Sequence, residues 1–254
     1  MDDQIEIIRT YNKYKEILQK QKMNRLKYNL VNTGKEIIEN FNTSLLPNFN
    51  NYKDPYINIQ LKFKKIISDL DIVNLNLTES YEIFEMVQEQ RRMAANNNAI
   101  NPELLIFNSF YYNKINKLNE YIAFDLKHCI DEIISTVWVI KNNIRNGKIE
   151  VSSIGNYLKK YRERHAEYNE FDNFLDLFEK LDDISNAYKH SYANTDFAAL
   201  GRDEDCFVAL YSKYNDFSKK PQFYCVSVDY IINEFNKFYR KTFNLINKLT
   251  ESIV

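Results

Sequence analysis

The sequence predicts an all-α fold, a multi-helix bundle of long helices with a small β-hairpin near the C-terminus. Only 4 Gly and 4 Pro occur in 254 residues, whereas turn-rich β architectures need both residues at their corners. Aromatic residues form 15% of the chain and provide volume for a core. Apolar residues recur at helical spacing along much of the sequence. We expect one domain, residues 1–254, because neither an internal repeat nor a convincing domain boundary is present.

The N-terminal part of the chain predicts three helices. The first is long and covers residues 1–43, where apolar residues follow a loosely helical spacing. Prolines and asparagines then indicate a loop over residues 47–55. A second helix is expected over residues 57–70. Thr78 is a predicted N-cap for a third helix that ends near Ala95.

The clearest helical pattern in the chain runs from Pro102 to Asn146. Its apolar residues advance by about 3.6 positions per step, which is the period of an α-helix. Pro102 suits a first helical position, and Gly147 is a good C-terminal stop. Two more helices are predicted over residues 153–168 and 170–192.

A β-hairpin is predicted over about residues 205–228. Two segments rich in β-branched and aromatic residues flank a polar segment there. A last helix should follow to about Leu249, with Ser227 or Asp229 as its N-cap. The region from residue 102 to 251 therefore combines long helices with one hairpin.

Charge and cysteine content limit the classes of function. Lys and Arg number 34 and Asp and Glu number 35, so any contact with nucleic acid must come from a local basic patch. The 3 Cys lack a CxxC spacing, which is typical of a reduced protein, and we expect a cytoplasmic location. No run approaches about 18 apolar residues, so we expect no contact with a membrane.

The candidate functional site lies near the end of the helix predicted over residues 170–192. A polar arc of about 120° on that helix contains the only common side chain that titrates near neutrality, and apolar residues occupy the opposite side. This pattern suits acid–base chemistry, but an ordinary surface helix has the same pattern. The residues of the polar arc are Asp182, Asp183, Asn186, Lys189 and His190.

The segment Asn186-Ala187-Tyr188-Lys189-His190 resembles the signature helix of the HEPN superfamily, helical bundles of prokaryotic toxins and abortive-infection proteins. The family pattern is Arg, four residues, then His, often with Asn directly after the Arg. Asn186 and His190 match this pattern, and Ser185 occupies the position of the Arg. The motif is therefore degenerate, and the resemblance covers roughly residues 102–251.

The resemblance implies a metal-independent ribonuclease without a cofactor, in which two copies of the motif meet across a dimer cleft. His190 would transfer a proton at the ribose 2′-hydroxyl or at the leaving oxygen. Asn186 would orient the imidazole or the phosphate. Asp183 completes the predicted catalytic set.

The missing arginine would have stabilised negative charge on the phosphate in the transition state. Lys189 is a nearby candidate for this role, although an ammonium lacks the bidentate fork of a guanidinium. Arg162 and Arg164 on the preceding helix are the other predicted RNA-binding residues.

Two functions from different classes remain open. One is a HEPN-like protein of a toxin–antitoxin or phage-defence system that cleaves RNA as a homodimer and has an antitoxin or another protein as its partner. The alternative is a catalytically inactive helical protein-interaction module, which Ser185 favours. A weaker candidate is a metal site formed by Asp125, His128 and Glu132, which share one face of the long helix.

Overall fold

The fold is taken from a computed structural model of the chain. The predicted helix over residues 1–43 and the loop over 47–55 lie outside the residues that the structure describes. Of the described residues, 84% are in α-helices, which confirms the predicted all-α class. The described residues are 59–97, 102–142, 151–163, 170–190, 205–211, 218 and 220–251.

Five helices and two strands form the described part of the chain. A short 3₁₀ turn, Asp172–Phe174, precedes the fourth helix. None of the described helices combines the length and the apolar character that a membrane span requires. The elements are α1 (Ile59–Asn97), α2 (Pro102–Asn142), α3 (Ile154–Arg162), α4 (Leu175–His190), β1 (Cys206–Tyr211), β2 (Gln222–Ser227) and α5 (Val228–Glu251).

The two long helices α1 and α2 form an antiparallel pair. Near the start of α1, Lys62 Nζ lies 2.9 Å from Glu132 Oε2 in the C-terminal half of α2. Further along α1, Ser80 Oγ donates to Asn119 Oδ1 at 3.0 Å. Both helices contribute buried apolar residues to the core, and these include Ile66, Val73, Leu77, Phe84, Ile122, Leu126 and Ile133.

α1 corrects the prediction of two separate helices over residues 57–70 and from Thr78 to Ala95. Thr78 lies inside a continuous helix, and its hydroxyl donates to the carbonyl oxygen of Asn74 at 2.8 Å instead of capping a helix start. Val73 and Leu77 are fully buried across the predicted break. Packing against α2 therefore continues through a segment whose local sequence suggested an interruption.

α3 begins where predicted but ends earlier. Ser153 is its N-cap and accepts a hydrogen bond from the backbone N–H of Asn156 at 3.2 Å. The helix ends at Arg162, whereas the prediction extended it to Tyr168, and residues 164–169 lie outside the description. The Ile154 N–H donates to Asp131 Oδ1 on α2 at 2.6 Å, which fixes the start of α3 on the bundle.

The hairpin is confirmed. β1 and β2 are antiparallel, with Cys206 opposite Ser227 and Tyr211 opposite Gln222. Ser227 is the N-cap that the sequence offered, because its Oγ accepts from the N–H of Tyr230 at 3.4 Å. Cys225 lies opposite Val208, and all three cysteines are free thiols.

An aromatic cluster joins α3, α4 and α5. Phe238 on α5 is fully buried. The rings of Phe171, Phe174 and Phe178 lie 5.4, 5.5 and 5.4 Å from its ring, each in an edge-to-face arrangement. Tyr157 on α3 extends the cluster, since its ring lies 5.5 Å from that of Phe171. Edge-to-face pairs stabilise a core beyond the area that they bury.

Candidate functional site

The polar arc lies on the last three turns of α4. Asp183, Lys189 and His190 are exposed, whereas Asp182 and Asn186 are half-buried. The opposite side of the helix packs inward, as its apolar spacing predicted, through Leu177, Leu181, Ile184 and Tyr188.

The inner edge of the arc faces α2. Lys127 Nζ lies 2.7 Å from Asp182 Oδ1, and the exposed fractions of the two side chains are 22% and 27%. Asn186 Nδ2 donates to the other carboxylate oxygen of Asp182 at 3.2 Å. This Lys127–Asp182–Asn186 network joins one edge of the polar arc to the protein's own bundle, so only part of the arc faces solvent. Nothing in the local sequence around Lys127 indicated this contact.

Ser185, at the position of the family's arginine, is buried in the core. Ser185 is 2% exposed, and its Oγ approaches the carbonyl oxygen of Ala123 on α2 at 3.5 Å. Ala123 is itself fully buried. A small side chain is therefore required where α4 and α2 pack closely, and a long charged side chain would have to displace one of the helices.

His190 is the last residue of α4, and Lys189 precedes it. Both side chains are exposed. Because both are exposed, a substrate could reach them from solvent. Cationic groups are also favourable near a helix C-terminus, because unpaired carbonyl groups concentrate negative partial charge there.

The structure separates Arg162 from His190. Arg162 Nη2 bonds Glu179 Oε1 at 3.0 Å on the first half of α4. Glu179 precedes His190 by 11 residues, about 16 Å along the helix axis. Arg164 lies outside the described residues. Within one protomer, Arg162 is thus not the guanidinium that replaces the missing arginine.

The residues of the weaker metal candidate face α1. Lys65 Nζ lies 2.9 Å from His128 Nε2, and Lys62 Nζ lies 2.9 Å from Glu132 Oε2. Burial raises the pKa of Asp125, with the nearby Asp69 adding to the effect. Lysines thus occupy the side of these groups that faces α1, and in the described part of the chain no cluster of three His, Cys, Asp or Glu residues could hold a metal ion.

The outer face of α5 carries a feature that our interpretation of the sequence missed. Every exposed residue of α5 whose burial is described is Asn, Lys or Arg. Apart from the adjacent Arg240 and Lys241, successive residues of this set are three or four positions apart, which is the spacing of one helix face. The sequence therefore contained the pattern, but the balanced total charge drew attention away from it. We name as the cationic face the residues Asn233, Lys237, Arg240, Lys241, Asn244 and Lys248.

No family model, curated protein or solved structure matches this chain. What remains to indicate a function is the chemistry of the chain's own residues and the motif resemblance.

The exposed end of α4 can offer acid–base chemistry to a ligand that arrives from outside. A neutral imidazole accepts a proton and an imidazolium donates one at physiological pH. Since His190 and Lys189 are exposed, a reaction there requires a second surface that excludes water. A second protomer is the simplest source of such a surface.

Proposed function

We propose that this chain is a HEPN-like protein of a toxin–antitoxin or phage-defence system, which cleaves RNA in the cytoplasm as a homodimer without metal. The observation that supports the proposal is the exposed position of His190 and Lys189 at the end of α4. A symmetric contact between two such ends would place two imidazoles against one phosphodiester. An antitoxin or another protein partner would restrain the activity.

Each protomer would contribute one imidazole to the reaction. One neutral His190 removes the proton of a ribose 2′-hydroxyl, whose oxygen attacks the adjacent phosphorus. The partner's His190, as imidazolium, donates a proton to the leaving 5′ oxygen. The products are a 2′,3′-cyclic phosphate and a free 5′-hydroxyl. Lys189 would offset charge on the phosphate, Asn186 would orient the reacting groups, and Asp183 would complete the set.

A second candidate function is a catalytically inactive interaction module. The observation that favours it is the buried position of Ser185 against Ala123, because this packing leaves no room for an arginine at the family's position. This candidate predicts a stable protein partner and no cleavage of RNA.

The test is incubation of the purified protein with total RNA in EDTA, followed by analysis of the new 3′ ends. We expect cleavage with cyclic phosphate ends in the wild type. His190→Ala should lower the rate by about 100-fold or more. His128→Ala removes the other described imidazole, which lies on α2, and should cleave like the wild type.

Cleavage that survives in His190→Ala would remove His190 from the mechanism. A wild type that does not cleave RNA but captures a protein partner would establish the inactive module. Light scattering that finds a monomer at micromolar concentration would contradict the dimeric site.

A further inference from the structure

We propose that the cationic face of α5 binds the phosphate backbone of single-stranded RNA. This inference depends on the proposed function only for the choice of RNA among polyanions. The surface itself follows from the positions and partners of the side chains on α5.

The four cations of this face are concentrated in a small area. At 100° per residue, the exposed residues of α5 fall within a sector of about 100°. From Lys237 to Lys248 the face is about 16 Å long, at 1.5 Å per residue. A polyanion lying along α5 would therefore meet all four positive charges in sequence.

Most of this charge is not neutralised by the residues that the structure describes. Lys237 pairs with Glu234, which is half-buried beside it, at 2.6 Å. Arg240, Lys241 and Lys248 have no carboxylate partner among the described residues. Lys241 Nζ instead lies 5.3 Å above the ring of Phe174. Unpaired cations on one face produce a local positive potential even though the chain is almost neutral overall.

The composition of the face favours nucleic acid over a lipid surface. A helix that binds a membrane inserts apolar side chains beside its cations, and no exposed residue of α5 with described burial is apolar. Asn233 and Asn244 lie among the cations instead. Their amides can donate hydrogen bonds to phosphate oxygens. They can also both donate to and accept from base edges or 2′-hydroxyl groups.

The face is distant from His190 of the same protomer. Lys241 lies above Phe174, and Phe174 precedes His190 by 16 residues, or about 24 Å along the helix axis. Phosphates of one strand in a duplex are about 3.4 Å apart along the axis, so an RNA strand that is at least as extended would span this distance with about seven nucleotides or fewer. The face would thus anchor RNA away from the point of cleavage.

The binding experiment uses a fluorescent 20-nucleotide 2′-O-methyl RNA, which cannot undergo attack by its 2′ oxygen, and fluorescence anisotropy in EDTA. Four phosphate contacts predict a slope of log affinity against log salt of about −2.8, since each contact adds about −0.7 for a single strand. Raising the salt from 50 to 200 mM should then weaken binding by about 50-fold.

Two quadruple variants with the same change in net charge are compared. The face variant should weaken binding at 50 mM salt by about tenfold or more and bring the slope close to zero. The control removes exposed lysines from α1, α2 and the segment before β2, and should keep affinity within about threefold and the slope unchanged. The face variant is K237Q/R240Q/K241Q/K248Q, and the control is K65Q/K114Q/K117Q/K220Q.

A gain-of-binding variant completes the test. Asn244→Lys adds a fifth cation to the centre of the face, so it should tighten binding and steepen the slope by about 0.7. Circular dichroism of all variants confirms the fold. Equal weakening by the two quadruple variants would overturn the inference, as would binding of phosphatidylserine vesicles, but not of RNA, through this face.

Failure of this inference and failure of the proposed function give different results. RNA that is bound through the cationic face but never cleaved refutes the ribonuclease alone. Cleavage by the wild type together with unchanged RNA binding in the face variant refutes the role of α5 alone.

Discussion

α4 and α5 pack against each other through the same aromatic cluster, yet their outer faces carry opposite charge. Phe178 of α4 and Phe238 of α5 are both fully buried, with ring centroids 5.4 Å apart. Outside, α4 exposes the carboxylates of Asp176, Glu179 and Asp183 along its length, and Lys189 and His190 only at its end. α5 exposes four cations and no acidic residue among the residues whose burial is described.

The difference shows that acid–base groups and attraction for an anion need not share one surface. The polar arc of α4 contains the imidazole that proton transfer requires, but its exposed charges, Asp183 and Lys189, are of opposite sign and offer a phosphate no excess of positive charge. α5 lacks an imidazole, and its exposed cations favour an anion. If the protein acts on RNA, chemistry and binding are therefore divided between two neighbouring helices.

The largest expected effect is the loss of stability at high pH, which acts on the inner packing that α4 and α5 share. Burial raises the pKa of Tyr188 on α4, of Tyr239 on α5 and of Tyr157 on α3. An unfolded tyrosine titrates near pH 10, so above that pH the unfolded state binds fewer protons than the native state. The contribution of the three tyrosines to stability should be complete below about pH 10 and should then fall by about 4 kcal/mol per pH unit for the three groups together.

Urea unfolding between pH 8 and pH 11.5 measures this decline. Burial also raises the pKa of Cys129, so a shallower decline should begin near the usual pKa of a thiol, about 8.5. A free energy of unfolding that stays constant from pH 10 to pH 11.5 would contradict the burial of these hydroxyl groups.

The next largest effect is expected for Phe238→Ala, which tests the buried side of α5 against its exposed side. The variant removes a fully buried ring that contacts three aromatic rings of the turn and α4. It should lower the free energy of unfolding by about 3–5 kcal/mol. Asn244→Ala on the outer face is the control and should stay within about 0.5 kcal/mol of the wild type. Equal urea midpoints for the two variants would show that the aromatic cluster does not stabilise the core.

Two buried tyrosines of the core, one on α5 and one on α3, differ in the hydrogen bonding of their hydroxyl groups. Tyr239 Oη is buried and has no hydrogen-bond partner among the described residues, whereas Tyr157 Oη accepts the N–H of Phe171 at 3.0 Å. Tyr239→Phe should therefore raise stability by about 1 kcal/mol, and Tyr157→Phe should lower it by about 1 kcal/mol. Thermal or urea unfolding measures both, and shifts of the same sign would refute this assignment of partners.

The smallest effect concerns two ion pairs that join α4 to α2 and to α3. Lys127 and Asp182 form a half-buried pair, whereas Arg162 and Glu179 are 66% and 51% exposed. Double-mutant cycles should give a coupling energy of about 1 kcal/mol for the first pair and about 0.3 kcal/mol or less for the second. A larger coupling for Arg162 would indicate that solvent does not screen its pair.

Periodicity was sufficient to predict most elements of the described fold. α2 begins at Pro102 as predicted, and the hairpin strands and the start of α5 agree closely with the sequence, because spacing, capping and turn preferences are local properties. Thr78 misled the prediction because a hydroxyl that can cap a helix can also donate to a carbonyl within one. The helix predicted over residues 1–43 stays a prediction.

The candidate site was predictable only as a set of residues on one face. The helical period placed His190, Lys189 and Asp183 together, and the structure exposes all three. The partners of the arc came from distant parts of the chain, since Lys127 precedes Asp182 by 55 residues. No local pattern encodes a contact at that separation.

The sequence by itself determined the helical class, the hairpin and the polar and apolar sides of α4, because these depend on the spacing of neighbouring residues. Tertiary structure alone decided that Ser185 packs against Ala123, that Lys127 neutralises Asp182 and that three of the four exposed cations of α5 lack carboxylate partners among the described residues. The physical reason is that charge and burial depend on which helix lies opposite each side chain. The angle and position at which two helices cross decide which side chains face each other, and the spacing of residues along the sequence does not encode that geometry.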